Sequence, residues 1–233
     1  MRVVSPFRPF APESPAHLKL GEFDWIGAAR MLATSVQRSN RCETLVLTDV
    51  DTALPVPALQ FQTAERRLML WILEVSLRYL ESNAFDQDTV MVSPDALVVG
   101  ELGRYFVGDL AVLVRPAEKY QTRPHHPVIN AAQWWPVRSQ VKLVTFYQQA
   151  LAIARILPEH LLIWGADTAP LVQLLQPIVL GLHERSGLLV SMLDTYKMLG
   201  GIPTPGGPPI LHFKYKAKSR MDGAYRQLVG AQP

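Results

Sequence analysis

Short, evenly apolar runs alternate along this chain with longer amphipathic stretches, and that alternation restricts the fold more than any single motif. Thr44-Leu45-Val46-Leu47-Thr48 and Leu110-Ala111-Val112-Leu113-Val114 have no polar side to turn to water. Runs of this length and character read as strands buried on both faces. Between them lies a helix-length segment, residues 64–81, with Leu68, Trp71, Ile72, Val75 and Tyr79 on one face. This order predicts an α/β protein whose mixed, mostly parallel central sheet is flanked by helices. The 19 prolines fall mostly between the apolar runs, which excludes a coiled coil or an all-helical array. With 48% apolar and 18% charged residues among 233, the chain has material for one sizeable core and is not a disordered polymer.

The other elements follow from local signals. Residues 2–5 form a short first strand, and Asp24 caps a helix running to about Val36. A loop containing Pro55 and Pro57 precedes the long helix. Residues 88–92 form a strand, Ser93-Pro94-Asp95 interrupts it, and 96–99 extend again. A short helix over 101–106, a strand over 109–115, a loop over 116–127 with His125 and His126, and a short extended piece over 128–130 come next. Helices are expected over 139–156 and 168–180. Four glycines and four prolines between 199 and 209 predict a loop, and residues 210–213 re-enter as a strand.

Charge is unevenly spread. From His212 onward five basic residues (Lys214, Lys216, Lys218, Arg220, Arg226) face the single Asp222, while the whole chain is only +3. The positive charge is thus concentrated in one short segment, as suits a local anion site. Cys42 is the one cysteine, which excludes an internal disulfide and a thiolate zinc site. The N-terminal residues show no apolar signal region, and no stretch approaches the length of a membrane span. A cytoplasmic protein without a membrane partner is expected.

Four stretches, in order, resemble nucleotide-sugar glycosyltransferases of the GT-A fold. Asp88 to Val98 is similar to that family's central strand and Asp-x-Asp exit, with Ser93 at the first aspartate position and Asp95 at the second. Val128-Ile129-Asn130-Ala131-Ala132 resembles its Asn-Ala-Gly segment, with Ala132 at the glycine. Trp164-Gly165-Ala166-Asp167 resembles the acceptor-side stretch. His212 and Lys218 keep the six-residue spacing of the His-x-x-Gly-x-x-Lys motif of family 8 glycosyltransferases, with Tyr215 at the glycine.

The resemblance implies a single GT-A-like (Rossmann-like) domain: a nucleotide-binding half over 1–99, an acceptor half over 100–211 and a basic C-terminal segment over 212–233. It also implies transfer of a sugar from a nucleoside diphosphate sugar to an acceptor hydroxyl. Departure of the diphosphate develops negative charge, for which Mn²⁺ or Mg²⁺ is the common device. Asp95 and His212 would hold that ion, although Ser93 brings no charge to it. Lys218 would neutralise the diphosphate. Ser5, Arg8 and Asp49 would line the nucleotide, with Asp49 accepting the imide hydrogen of a pyrimidine; Asp51, Arg66 and Arg67 are competing choices. Asn130 and Trp164 would meet the acceptor and Asp167 would serve its hydroxyl, as base or as holder. Trp134 and Trp135 are either sugar platforms or core.

Small enzymes of this kind include phage proteins that glycosylate hydroxymethylated pyrimidines. DNA is therefore one acceptor that the basic segment suggests, beside glycans, proteins and lipid-linked sugars. Two other classes compete. A catalytically decayed glycosyltransferase-like binding protein would explain Ser93 and the replaced glycines. A nucleic-acid-binding module would act through the basic and aromatic C-terminal segment. A nucleotidyltransferase is disfavoured, because the turn after the first strand has no glycine to let backbone approach a triphosphate.

Overall fold

The computed structural model describes residues 1–9, 23–114, 128–156, 187–194, 199–200, 206–213 and 215–230. In chain order its elements are β1 (Arg2–Pro6), α1 (Trp25–Asn40), β2 (Glu43–Asp49), β3 (Ala58–Phe61), α2 (Leu68–Glu81), β4 (Thr89–Val92), β5 (Ala96–Val98), β6 (Leu110–Val114), β7 (Val128–Trp135), α3 (Gln140–Ile156), β8 (Val190–Asp194), β9 (Leu199–Gly200), β10 (Ile210–His212) and α4 (Met221–Gly230). Short 3₁₀ turns occupy Gly103–Tyr105, Val137–Ser139 and Tyr215–Arg220.

Seven strands form one sheet in the order β3-β2-β1-β4-β7-β6-β8. The first four are parallel, β7 is antiparallel to both its neighbours, and β8 is parallel to β6. The sheet is therefore mixed and mostly parallel. From β1 the chain builds outward through β2 and β3, then crosses back to place β4 on the other side of β1. That reversal is a topological switch, and it opens a crevice at the carboxyl ends of β1 and β4.

Both faces of the sheet are covered, which is why its central strands carry no alternation. On one face Val3, Val90 and Val92 pack with Leu32 and Val36 of α1. On the other, Val4, Leu47 and Met91 pack with Trp71 and Val75 of α2 and with Phe146 and Tyr147 of α3. Asp24 caps α1 by accepting a hydrogen bond from the Gly27 amide at 2.7 Å, as its position before the apolar stripe suggests. The other end of α1 holds a second layer in place. Ser35 accepts from the Val98 amide, Ser39 donates to the Val98 carbonyl, and Asn40 bonds Gly100 and Leu102. These bonds seat β5, which belongs to a small sheet ordered β5-β10-β9.

Several elements differ from the sequence reading. β3 lies where a proline loop is expected: Pro57 stops just short of the strand, and as an edge strand β3 tolerates such a neighbour. α2 starts at Leu68 rather than at residue 64, because the Glu65 carboxylate accepts from the amides of Arg66 and Arg67 and holds a turn there. β7 has eight residues instead of three, and β8 has no sequence signal strong enough to separate it from its surroundings. The first two residues of the expected loop 199–209 form edge strand β9. The basic segment is not a plain tail, since it contains a 3₁₀ turn and α4. The expected loop 116–127 and helix 168–180 lie outside the described residues.

Gly108 shows how tightly β8 is joined to the sheet. Its φ of +71° is left-handed, and a Cβ there would come within 2.6 Å of the Leu189 carbonyl oxygen and 2.8 Å of Ser191 Oγ. Gly108→Ala should cost about 2 kcal/mol or more through strain and displacement of β8. Urea denaturation of the two proteins measures it, and equal midpoints would show that β8 is not held here.

Candidate active site

Strand β4 ends at Val92 and the chain turns through Ser93-Pro94-Asp95 before β5 begins. β5 then pairs antiparallel with β10, setting His212 opposite Ala96. The Phe213 amide adds one further rung, donating to the Asp95 carbonyl at 2.9 Å. This register brings together Asp95 and His212, residues 117 apart in sequence. Lys218 arrives on the 3₁₀ turn that follows. That turn is anchored by α4, whose Met221 and Ala224 pack with Ala28, Leu97, Leu211 and Phe213.

Asp95 is the hub. Its Oδ1 accepts from the Ser93 hydroxyl and from Nε2 of His212 at 3.1 Å, and its Oδ2 accepts from the Lys218 ammonium. Asp95 is 3% exposed and Lys218 6%. The ammonium also lies 4.4 Å from the ring centroid of Trp25 and 5.1 Å from that of Phe23, so a carboxylate and two aromatic rings hold it. Burial alone would raise the Asp95 carboxyl. The charge and hydrogen bonds of His212 and Lys218 outweigh burial and hold it far below the usual carboxylate range. Asp95 is therefore an anion, and an anion only accepts, so His212 Nε2 carries the hydrogen between them.

The other expected residues distribute along the same carboxyl edge. Ser5 is fully buried near the end of β1, and its hydroxyl has no partner among the described residues. Thr48, near the end of β2, has a similarly buried and unpartnered hydroxyl. Asp49 closes β2 and accepts from the Thr52 hydroxyl. Arg8 donates to the carbonyls of Glu65 and Arg66 and lies over the Trp71 ring at 4.9 Å. Burial lowers its pKa, against the opposing charge of Asp49. These bonds tie Arg8 to the turn before α2. Asp51 is exposed on the turn after Asp49, and Glu65 pairs with Arg67.

Asn130 lies in β7 where the pairing with β6 skips from Gln133 to Ile129. Ala132 pairs with Val92, so the antiparallel chain preceding it runs alongside the Ser93–Asp95 turn. Irregularities of this kind often border functional edges. Trp134 and Trp135 are fully buried, and their indoles donate to Leu102 O and to Gln133 Oε1. Both are core, not sugar platforms. Trp164 and Asp167 lie outside the described residues.

The sequence reading missed Phe23 and Trp25. Aromatic residues flanking a helix cap carry no local sign of a cation, since the lysine they meet lies almost the whole chain away. They form an edge-to-face pair at 4.7 Å, and Trp25 stacks on Phe7 at 6.2 Å, just beyond β1. They thus link the exit of β1 to the Asp95 cluster.

The same geometry tests the expectation of a divalent metal. Mg²⁺ and Mn²⁺ want several oxygen donors, chiefly carboxylates. Ser93 supplies a hydroxyl whose hydrogen is directed at Asp95, and both Asp95 oxygens already accept from protein donors. Among the described residues no group of three His, Cys, Asp or Glu side chains could hold a metal. The described donor set does not fit a divalent ion.

The fold is the GT-A-like fold of glycosyltransferases, and solved structures of such enzymes match it. One is a glycosyltransferase involved in the glycosylation of the major capsid of PBCV-1, with 8% identity, a TM-score of 0.56, and 96% of this chain and 98% of that one covered. A second is the glycosyltransferase GlyE of Streptococcus pneumoniae TIGR4 (13% identity, TM-score 0.54, 92% and 54% covered). A third is the bifunctional glycosyltransferase WbbM (12% identity, TM-score 0.53, 99% and 50% covered). The chain thus spans about half the length of the latter two. No protein-family model and no curated protein sequence matches it.

The Asp95 cluster makes a prediction about acid. A carboxylate with a depressed folded pKa contributes stability that is present above its unfolded value, about 3.9, and is lost as pH falls toward the folded value. Asp95→Asn should cost about 3 kcal/mol at pH 7, because it strips charge from a buried cluster. Below about pH 4 its deficit relative to the parent should shrink by about 1.4 kcal/mol per pH unit. Urea titrations at neutral and acidic pH read both numbers. A deficit constant with pH would mean that the variant fails through packing alone.

Proposed function

We propose that this protein transfers a sugar from a nucleoside diphosphate sugar to an acceptor hydroxyl. The observation that carries the reading is the meeting of Ser93, Asp95, His212 and Lys218 at the carboxyl end of β4, beside the topological switch. Open α/β sheets bind ligands at that place. The reaction breaks the bond between the anomeric carbon and a phosphate oxygen, and that bond's electron pair leaves with the diphosphate. Positively charged donors fixed beforehand stabilise such a leaving group. In this reading Lys218 and His212 face the diphosphate, and Asp95 fixes where they point.

Ser5 and Asp49 line the nucleoside, and the Asp49 carboxylate accepts the imide hydrogen of uracil or thymine, favouring a pyrimidine donor. The buried hydroxyls of Ser5 and Thr48, without a partner among the described residues, support a polar ligand near the ends of β1 and β2. On the acceptor side, Asn130, Trp164 and Asp167 contact the substrate, and Asp167 holds or deprotonates its hydroxyl. The acceptor carries a hydroxyl, and 5-hydroxymethylpyrimidine DNA is the first to test, ahead of glycans, proteins and lipid-linked sugars; the same reading puts the protein in the cytoplasm without a membrane partner. Arg226 pairs with Asp222, and Lys218 with Asp95, so a polynucleotide would have to meet the remaining cations of the segment. No helix among the described residues is long and apolar enough to cross a membrane.

Thermal stabilisation across a panel of nucleoside diphosphate sugars tests the donor. At 100 times its dissociation constant, the right donor adds about 2.7 kcal/mol to stability. Asp49→Ala should reduce that gain for uridine and thymidine donors more than for guanosine donors. Silence across the whole panel would leave the decayed binding protein as the better reading. Transfer of radiolabelled sugar to hydroxymethylated duplex DNA, compared with unmodified DNA, tests the acceptor.

A further inference from the structure

We infer that the donor site works without a divalent cation: the Lys218 ammonium takes the position and charge that a metal would supply, and Asp95 serves as its holder. The inference rests on the glycosyltransferase reading and goes beyond it to the electrostatics of the leaving group.

Charge balance is the first argument. A divalent ion between two carboxylates is neutral overall, and an ammonium on one carboxylate is neutral too. The chain has serine at position 93, where a second carboxylate would belong in a metal site. Losing one negative charge and replacing a double positive charge with a single one leaves the cluster balanced. Keeping a divalent ion with Asp95 alone would not.

Occupancy is the second argument. Metal binding through Asp95 would require breaking its bonds from Ser93, His212 and Lys218. Those donors satisfy both oxygens of a carboxylate that is 3% exposed. His212 cannot offer Nε2 to a metal while that nitrogen donates to Asp95.

The third argument is preorganisation. A lysine ammonium has three hydrogens, and Asp95 Oδ2 takes one. Trp25 and Phe23 present ring faces at 4.4 and 5.1 Å. Those faces stabilise the charge without competing as strong hydrogen-bond acceptors. The two hydrogens that Asp95 does not take are the ones that phosphate oxygens would accept in this reading. A free lysine is a mobile point charge; this one is fixed before any ligand arrives, as leaving-group stabilisation requires.

Calorimetric titration of uridine, thymidine, cytidine, guanosine and adenosine diphosphates, in EDTA and in Mn²⁺, decides the matter on the unmodified protein. The expected result is one diphosphate whose Kd agrees within about twofold between the two conditions. The Mn²⁺ electron paramagnetic resonance signal should then match that of nucleotide and metal without protein. Lys218→Met, checked for folding by circular dichroism, should weaken binding about tenfold or more. Lys218→Met combined with Ser93→Asp should bind again, but only with Mn²⁺, because the second carboxylate creates the missing metal site. If EDTA abolishes parent binding and Mn²⁺ restores it, the inference falls while the glycosyltransferase reading stands. A folded Lys218→Met protein that binds normally overturns the inference as well. No binding of any diphosphate under either condition overturns both.

Discussion

The antiparallel register between β5 and β10 is the constraint on which the candidate site depends. It sets His212 against Ala96, and the Phe213 amide continues the ladder onto Asp95. Slipping this pair by one residue would turn every side chain of β10 to the opposite face and carry His212 away from the carboxylate. The register is in turn fixed by burial. Ile210 and Leu211 are both fully buried, each in a different apolar cluster, so neither can exchange faces without losing its packing. Three residues of strand thereby close a polar site using only apolar complementarity and backbone hydrogen bonds.

The second support is α1, which links the two sheets through both of its ends. Its C-terminal serines and Asn40 clamp β5 and the chain after it. Its N-terminus places Trp25 beside Phe7 at the exit of β1 and over the Lys218 ammonium. The helix that fills one face of the seven-stranded sheet therefore also walls the charged cluster. A change in how α1 sits on the sheet would be felt at Lys218, although no covalent neighbour connects them.

The cluster also explains why the basic C-terminal segment does not behave as a uniform cationic patch. Lys218 is turned inward and is neutralised within the protein, and Arg226 pairs along its own helix with Asp222. Among the described residues, the segment thus has one specialised lysine, Lys218, beside the exposed Arg220 and Arg226. The distinction comes from position relative to Asp95, not from composition.

The sequence by itself determined the layered α/β plan, because runs apolar on both faces can only be sheet interior and one-sided stripes can only be helices packed on it. It also marked the Asp24 cap, the break at Ser93-Pro94-Asp95 and the spacing of His212 and Lys218, each of which is a local pattern. Strands β3 and β8 were not legible, since edge and late strands borrow their stability from neighbours already in place. The roles of Phe23 and Trp25 could not be read either, nor could the burial of Lys218 or the consignment of Trp134 and Trp135 to the core. Those depend on which distant groups a side chain meets, and only the pairing of β10 with β5 and the packing of α4 on α1 bring the groups together. A lysine in a basic stretch is solvated by default; tertiary contact with one buried carboxylate made this one a fixed charge.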